Sequence, residues 1–164
     1  MTVMIDQKKF RQALGRFTTG IAIATTCKEE GTPVGLTINS FNSVSLDPPM
    51  VLWSIGRNSP SRTDFEDAGH FTINVLGSHQ IPLSNNFARP GDKFSEVAWE
   101  SGRTGAPVIP DCIATFHCKT AFCYEGGDHI IFVGEVENFE MNEGEPLLYL
   151  DGRYGVARPH PDTA

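Results

Sequence analysis

The sequence predicts a mainly β fold, a closed or partly closed antiparallel barrel with two or three short helices. The 16 glycines and 11 prolines among 164 residues imply many turns and therefore many short strands. Seven or so β-rich runs follow one another closely, without the strand-helix-strand rhythm of a parallel doubly wound sheet. A chain of this length fits one domain, residues 1–164, with one core.

The N-terminal part of the chain predicts a helix followed by a β-hairpin. Asp6 can cap a helix whose apolar residues, from Phe10 to Phe17, recur at helical spacing, and Gly20 is its predicted end. Residues 21–26 form a short β-rich run. The polar segment KEEGTP then makes a turn, so a second strand returns beside the first.

The most informative stretch is residues 35–49, GLTINSFNSVSLDPP. It predicts a strand, a hydroxyl-rich bend and the start of another strand, closed by an Asp-Pro-Pro stop that blocks further pairing. The mixture of short hydroxyls and apolar side chains suits a flat ligand with polar edges. The next run, MVLWSI, is almost wholly apolar, so we expect a central strand buried on both faces.

The remaining elements are two short helices and further strands. Ser59 with the following proline predicts a helix start, and an Ala-Gly pair ends that helix before a strand over residues 70–76. Residues 78–88 predict a third helix despite an internal proline. The clearest hairpin joins residues 113–124 to residues 129–139 through a Glu-Gly-Gly-Asp turn.

Alternation in the first strand of that hairpin predicts Phe116, Cys118, Phe122 and Tyr124 on one face. The four cysteines contain no C-x-x-C pair, so we expect small buried hydrophobic residues rather than disulfides or metal ligands. Cys118 and Cys123 have opposite parity and cannot easily share a metal. The histidines also lack metal-ligand spacing, so no metal site is predicted.

Charge and hydropathy exclude several classes of partner. The net charge of −7 argues against a nucleic-acid surface or an anionic membrane surface, because both need concentrated positive charge. No apolar run approaches the roughly 20 residues of a membrane-spanning helix, and MTVMIDQKKF has no signal-peptide core. We therefore expect a cytoplasmic protein, with a mobile tail over residues 159–164.

Familiar catalytic motifs are missing from the sequence. There is no nucleophile elbow with a Ser-His-Asp order, no G-x-x-x-x-G-K-[ST] loop and no G-x-G-x-x-G after a strand. The usual hydrolase, P-loop and Rossmann interpretations therefore fail.

Five segments, taken in their order along the chain, resemble a known protein family. GLTINSFNSVSLDPPMVLWSI, SPSRTDFEDAGHFTINVL, LSNNFA, GGDHIIFVGEV and PLLYLDGRYG are similar to the short-chain flavin reductases, from about Phe10 to about Arg158. Those proteins are the reductase components of two-component flavin-dependent monooxygenases and have an FMN-binding split barrel fold. The resemblance therefore implies an antiparallel split β-barrel that binds FMN or FAD and uses NADH or NADPH.

The resemblance also implies three flavin-contacting segments: the hydroxyl-rich bend, a loop leading into the second helix, and the end of the third helix. Their residues are Leu36, Thr37, Ile38, Asn39, Ser40, Ser45, Ser54, Ile55, Gly56, Arg57, Ser59, Ser61, Arg62, Asn86, Phe87 and Ala88. Arg57 and Arg62 are both candidates for the flavin phosphate. Phe87 is equally well explained as a core residue.

Two further segments match the family's nicotinamide side. Gly127-Asp128-His129 matches its GDH signature, in which the histidine orients the nicotinamide and assists proton traffic; a lone strand histidine is otherwise most often structural. The other segment is Asp151, Gly152, Arg153 and Tyr154. Its arginine would meet a phosphate and its tyrosine would stack on a ring, the alternative being a tight turn with an edge aromatic.

The implied activity is NAD(P)H-dependent reduction of FMN or FAD, with reduced flavin diffusing to a partner oxygenase. Hydride transfer from nicotinamide C4 to flavin N5 needs positioning rather than a protein nucleophile, which fits the missing motifs. A flavin-dependent ferric reductase and an FMN-binding electron carrier remain alternatives. The resemblance implies a homodimer as well, with the flavin cleft near the subunit boundary.

Overall fold

The computed structural model describes residues 4–163. The helices are α1 Gln7–Leu14, α2 Arg62–Ala68 and α3 Ile81–Ala88, with a 3₁₀ turn at Pro161–Thr163. The strands are β1 Thr19–Gly20, β2 Ala22–Cys27, β3 Pro33–Ile38, β4 Asn42–Leu46, β5 Pro49–Gly56, β6 His70–Val75, β7 Glu100–Ser101, β8 Pro107–Val108, β9 Ala114–Gly126, β10 His129–Met141, β11 Leu147–Leu150 and β12 Arg153–Val156. Residue 164, the last of the expected mobile tail, lies outside the described part.

A seven-stranded antiparallel sheet curls into a barrel. Its order is β3-β2-β6-β9-β10-β5-β4, so the two edge strands are consecutive in the sequence. Only residues 39–41 join them, and the four steps from Ile38 to Asn42 span at most about 14 Å. A flat sheet of seven strands would separate its edges by about 29 Å. The sheet must therefore curl until β3 and β4 meet without a ladder between them, which confirms the predicted split, mainly β barrel.

Aromatic residues fill the inside of the barrel. The Trp53 ring on β5 stacks on Phe132 of β10, with centroids 5.0 Å apart. Phe65 of α2 and Phe71 of β6 meet the same indole edge-on, at 4.8 and 5.7 Å. All four side chains are fully buried. Burial of these large rings contributes strongly to the stability of the fold.

A second apolar cluster lies on the outer side of β2. It includes Ile21, Ile23, Phe87 and Leu147, and so joins β2 to α3 and β11. Because the flanking alanines of β2 face the barrel interior, residues 22–26 are buried on both faces. The prediction of this pattern for β5 was wrong: β5 alternates between buried and half-buried residues and lies next to an edge strand.

The first helix is shorter than predicted. Asp6 caps α1 by accepting from the backbone N–H groups of Lys8 and Lys9, as expected. The helix ends at Leu14 rather than near Gly20, because Gly15 is its C-cap and the following turns bond back only three residues. The apolar side chains at 10, 14 and 17 are 52–75% exposed.

Other predicted boundaries shift by a few residues. Pro48 lies in the turn and Pro49 begins β5, so the Asp-Pro-Pro segment joins β4 to β5 as a hairpin instead of stopping the pairing. Ser61, rather than Ser59, occupies the N-cap position of α2. The third helix begins at Ile81, so that Pro82 falls in its first turn, where proline is tolerated.

The hairpin of β9 and β10 is confirmed, but its predicted faces are wrong. The register between the strands shifts after Val133, leaving one extra residue of β9 near Ala121. This irregularity reverses the parity, so Cys118 is buried whereas Phe122 and Tyr124 are about half exposed. The four cysteines are free thiols. Cys112 and Cys118 are buried as expected, whereas Cys27 is half-buried and Cys123 is exposed, contrary to the expectation.

Within residues 4–163, no helix has both the length and the apolar character needed to cross a membrane. The same residues contain no cluster of three or more His, Cys, Asp or Glu side chains arranged to hold a metal.

Gly134 is expected to tolerate no side chain. A Cβ at this position of β10 would lie 2.4 Å from Phe71 Cζ and 2.9 Å from Cys118 Cβ, both in the core. We expect Gly134→Ala to lower the free energy of unfolding by about 1–3 kcal/mol, measured by chemical denaturation. Gly20→Ala is the matched control, because a Cβ at that position would meet nothing within 4 Å. Equal stability of the two variants would contradict this packing.

Candidate active site

Three predicted segments meet in one depression of about 210 Å³ at the seam of the barrel. The bend between β3 and β4 supplies one wall, the end of β5 supplies another, and His129 stands at the third side. The lining residues are Leu36, Thr37, Ile38, Asn39, Ser40, Ser54, Ile55, Gly56 and His129. The sequence separates these segments by up to 93 positions, and the closure of the barrel brings them together.

The bend is held by a hydroxyl rather than by a backbone ladder. Ser40 Oγ donates to the Ser54 carbonyl at 3.1 Å and accepts from the Ser54 N–H at 3.0 Å. This pair joins the bend to β5 across the seam. Within the described residues, the backbone N–H groups of Asn39 and Ser40 donate to no protein acceptor. The depression therefore presents donors that a carbonyl-edged or anionic ligand can satisfy.

His129 begins β10 opposite Gly56 of β5 in the ladder. Its Nδ1 lies 2.8 Å from Asp128 Oδ1. An ionised carboxylate only accepts, so Nδ1 carries the proton in this pair and Nε2 remains for a ligand. The hydrogen bond from His129, followed by the charge of that imidazole, lowers the pKa of Asp128. The pair fixes the orientation of a side chain that is half exposed.

Arg57 contacts the turn that carries His129. Its backbone N–H donates to the Asp128 carbonyl at 2.8 Å. Its Nε and Nη2 donate to the Gly127 carbonyl at 3.3 and 3.1 Å, and its guanidinium is ion-paired with Glu125. Arg62, the other candidate for the flavin phosphate, donates to both carboxylate oxygens of Glu66 one helical turn away.

A larger cavity of about 620 Å³ adjoins the depression at Asn39, which lines both. Asp151 and Gly152, two residues of the predicted nicotinamide segment, also line this cavity. They form the tight turn between β11 and β12, where both have positive φ. The full lining is Arg11, Leu14, Gly15, Phe17, Thr19, Asn39, Tyr149, Asp151 and Gly152. Together the two cavities form a cleft in the size range of nucleotide sites.

Helix α3 is tied to both sides of this cleft. Thr37 Oγ1 donates to the Ser84 carbonyl at 2.6 Å, and Tyr154 Oη donates to Asn85 Oδ1 at 2.8 Å. The Tyr154 hydroxyl also lies 2.9 Å from Ser84 Oγ. Its ring meets Tyr149 edge-on, with the centroids 5.8 Å apart. Tyr154 is thus half-buried against the protein.

The remaining predicted residues lie outside the depression. Phe87 is fully buried and meets Phe94 edge-on, so its side chain belongs to the core, while Asn86 donates to the Lys93 carbonyl. Ser45 is half-buried in the edge strand β4. The others that the depression does not include are Arg57, Ser59, Ser61, Arg62, Ala88, Asp151, Gly152 and Arg153.

Sequence reasoning missed the contribution of the N-terminal segment. Arg11, Leu14, Gly15 and Phe17 all line the larger cavity. The signal for them was the apolar face of α1, which the sequence assigned only to helix packing. Lys93 was also missed: it donates to the Gly35 carbonyl at 3.0 Å, beside Leu36, and burial lowers the pKa of its amino group.

Another cavity, of about 740 Å³, lies at the opposite end of the β2–β3 hairpin. Its charged lining contains four carboxylates, and Lys28 is paired with one of them at 3.8 Å. An excess of negative charge disfavours a phosphorylated ligand. We therefore place the candidate site at the seam.

Ser40 offers a direct test of the seam geometry. We expect Ser40→Ala to weaken flavin binding about tenfold, because it leaves the Ser54 N–H without its acceptor and loosens the bend. Titration of flavin fluorescence measures the dissociation constant. Ser43→Ala, an exposed serine three residues away, is the control. Identical affinities for both variants would show that the Ser40 bridge does not shape the site.

A model of the flavin reductase like domain matches residues 14–158. The FMN reductase (NADH) SmoA of Agrobacterium fabrum is 45% identical over 150 residues, which are 92% of this chain and 86% of that protein. The reductase component of a flavin-dependent trigonelline monooxygenase from Acinetobacter baylyi is 44% identical over 90% of this chain, which spans only 48% of that protein.

Among solved structures, the NADH:FAD oxidoreductase SgcE6 of Streptomyces globisporus, in complex with NAD and FAD fragments, superposes with a TM-score of 0.88. It is 35% identical, and the match covers 97% of this chain and 96% of that one. The resemblance inferred from the five sequence segments is confirmed, and the chain belongs to the flavin reductase like domain family.

Proposed function

We propose that this protein is an NAD(P)H-dependent flavin reductase that transfers hydride from NADH or NADPH to FMN or FAD. One observation carries the proposal: the barrel seam joins the bend, the end of β5 and His129 in one depression, beside a cavity that reaches the Asp151–Gly152 turn. This arrangement suits a flavin ring and a nicotinamide ring that stack on each other. The names of the two relatives and of the solved structure support the same reaction class.

The donors at the seam fit a flavin. The free N–H groups of Asn39 and Ser40 match the carbonyls and ring nitrogens of the pyrimidine edge, and they favour negative charge that gathers there on reduction. The apolar side chains of Leu36, Ile38 and Ile55 suit the rest of the ring. Bound flavin supplies an acceptor for two electrons and one proton, delivered as hydride from nicotinamide C4 to flavin N5.

The residues of the protein hold the two nucleotides, orient their rings and exclude water from them. Asp128 holds the His129 imidazole through Nδ1, which leaves Nε2 available to contact a ligand and to exchange a proton with it. The Asp151–Gly152 turn and Arg11 line the neighbouring cavity, where a nicotinamide nucleotide would lie. No protein nucleophile is required, because orientation and exclusion of water supply the rate enhancement.

We propose further that reduced flavin leaves the site and serves a separate oxygenase. Relatives named as reductase components of two-component monooxygenases support this role. The half-exposed position of His129 and the shallow depression suit a flavin that diffuses in and out. The four free thiols agree with a reducing cytoplasm.

Steady-state rates test the proposed reaction. Oxidation of NADH and of NADPH is followed with FMN and with FAD, together with the absorbance spectrum of the protein as purified. We expect at least one combination to turn over, and a colourless protein would identify flavin as a substrate. Adding an Fe(III) chelate with and without free flavin separates a flavin reductase from a ferric reductase. Tightly bound flavin that NADH and NADPH both fail to reduce would instead identify an electron carrier.

We also propose a homodimer whose interface includes α1. Phe10, Leu14 and Phe17 are 52%, 57% and 75% exposed, which is unusual for large apolar side chains on one short segment. Because Leu14 and Phe17 also line the larger cavity, a second copy covering α1 would help to enclose the nucleotide.

The dimer predicts a specific effect of Phe10→Glu. We expect sedimentation equilibrium to give about twice the 18.0 kDa chain mass for the original protein. The variant should dissociate at least about tenfold more readily, because a carboxylate would be buried in an apolar interface. Gln7→Glu adds the same charge to the same helix and is the control. A monomeric original protein, or equal association of both variants, would contradict the interface.

A further inference from the structure

Arg57 binds to other residues of the protein through both its backbone and its side chain. Its side chain and backbone make three hydrogen bonds to residues 127 and 128, and its charge is paired with Glu125. All of these partners lie at the end of β9 or in the turn that joins it to β10. A phosphate would have to compete with an ion pair and with a carbonyl acceptor for the same guanidinium donors.

The turn held by Arg57 is the one that sets His129. Gly127 has a φ of +71°, a left-handed conformation that favours glycine, and its carbonyl is the acceptor for the guanidinium. The next residue, Asp128, holds His129 Nδ1. Gly56, immediately before Arg57, pairs with His129 in the ladder and lines the depression. Arg57 thus stabilises the turn that precedes His129 and is not among the residues that line the depression.

We infer that Arg57 and Glu125 position His129, and that Arg57 is not a ligand of the flavin phosphate. This inference rests on the proposed reductase function and deepens it. The pair acts through the turn: the guanidinium fixes the Gly127 carbonyl, the turn fixes Asp128, and Asp128 fixes the imidazole. Loss of the pair loosens His129 and leaves the flavin donors at Asn39 and Ser40 in place.

The test compares Arg57→Gln, Arg57→Lys and Glu125→Gln with Arg103→Gln as the control. Arg103 is an exposed arginine on the loop between β7 and β8, away from the seam. For each variant, fluorescence titration gives the dissociation constants of FMN and of riboflavin, which lacks the phosphate. Steady-state kinetics give kcat and KM for the nicotinamide nucleotide.

We expect Arg57→Gln and Glu125→Gln to act in the same direction. Each should lower kcat/KM for the nicotinamide nucleotide by about fivefold, and change FMN and riboflavin affinity by equal factors below about twofold. Arg57→Lys should restore part of the loss, because it keeps the charge opposite Glu125. Arg103→Gln should behave like the original protein.

Different affinities are expected if Arg57 is a phosphate ligand. If Arg57 binds the phosphate, Arg57→Gln weakens FMN and leaves riboflavin unchanged, whereas Glu125→Gln releases the guanidinium and strengthens FMN binding. Either result overturns the inference. Variants that all match the original protein overturn it as well.

The positioning role also has a readout that needs no turnover. Nitrogen NMR of the His129 imidazole reports its tautomer. We expect Arg57→Gln and Glu125→Gln to mix the two tautomers, whereas Arg103→Gln should not. If the original protein fails to oxidise either nicotinamide nucleotide, the proposed function fails while this measurement still decides the role of Arg57. An unchanged His129 spectrum would overturn the role.

Discussion

Replacing Trp53 with alanine is expected to lower the free energy of unfolding by about 3–5 kcal/mol. The indole is fully buried and contacts three aromatic rings from β10, α2 and β6, so its removal leaves a cavity where four elements meet. Small domains have only about 5–15 kcal/mol of stability in total. The variant should therefore unfold at much lower denaturant concentration than the original protein.

The matched substitution is Trp53→Phe. Phenylalanine keeps a ring against Phe132, and it removes the indole Nε1–H, which is buried without a hydrogen-bond partner among the described residues. We expect Trp53→Phe to lower the free energy of unfolding by about half as much as Trp53→Ala, or less. Because Ser54 is the next residue and is bonded to Ser40, the alanine variant should also bind flavin more weakly. Two variants of equal stability would contradict the aromatic core as the main support of the barrel.

Replacing His129 with alanine is expected to give the largest loss of activity. We expect kcat/KM for the nicotinamide nucleotide to fall by about tenfold or more, because the variant lacks the side chain that we propose orients the nicotinamide ring. The dissociation constant of the flavin should change by less than about twofold, since the donors of the bend stay in place. Steady-state kinetics and flavin titration measure the two effects separately.

His160→Ala is the control for this change, because His160 is an exposed histidine in the C-terminal tail. Its kinetics should match those of the original protein. Equal activity of the two variants would remove His129 from the site. A selective loss of flavin affinity in the His129 variant would instead assign the imidazole to the flavin.

The elements of the fold were predictable where a local signal decides the conformation. The hairpin of β9 and β10 follows from alternation and a glycine-rich turn, and α2 ends at Gly69, which adopts the left-handed conformation that stops helices. The closure of the barrel has no local signal. It follows from the pairing order, which places β3 and β4 at opposite edges although only residues 39–41 separate them.

Predictions failed where distant packing decides the outcome. The composition of β5 suggested burial on both faces. The strand buried on both faces is β2 instead, because α3 and β11 cover its outer side. The reversal of faces in β9 depends on a bulge near Ala121, and no residue there indicates it. The exposure of Phe10 on α1 likewise depends on what else packs against the helix.

For the candidate site, the fold locates the segments that the resemblance named, and the roles of their side chains stay predictions. The bend, the end of β5 and His129 line one depression. Arg57 is a candidate for the flavin phosphate, yet its side chain donates to the Gly127 carbonyl. The Tyr154 hydroxyl donates to Asn85, and the stacking of the tyrosine ring on a ligand stays a prediction. Such roles depend on partners that are 69 or 70 positions away in the chain, which only the folded structure brings together.

The most direct test of the proposed function is anaerobic stopped-flow absorbance. The protein with FMN or FAD is mixed with NADH or NADPH, and the visible absorbance of oxidised flavin is followed. We expect rapid bleaching that depends on the protein and slows in the His129→Ala variant. Flavin that binds in titration but stays oxidised with both nucleotides would contradict the proposed reaction.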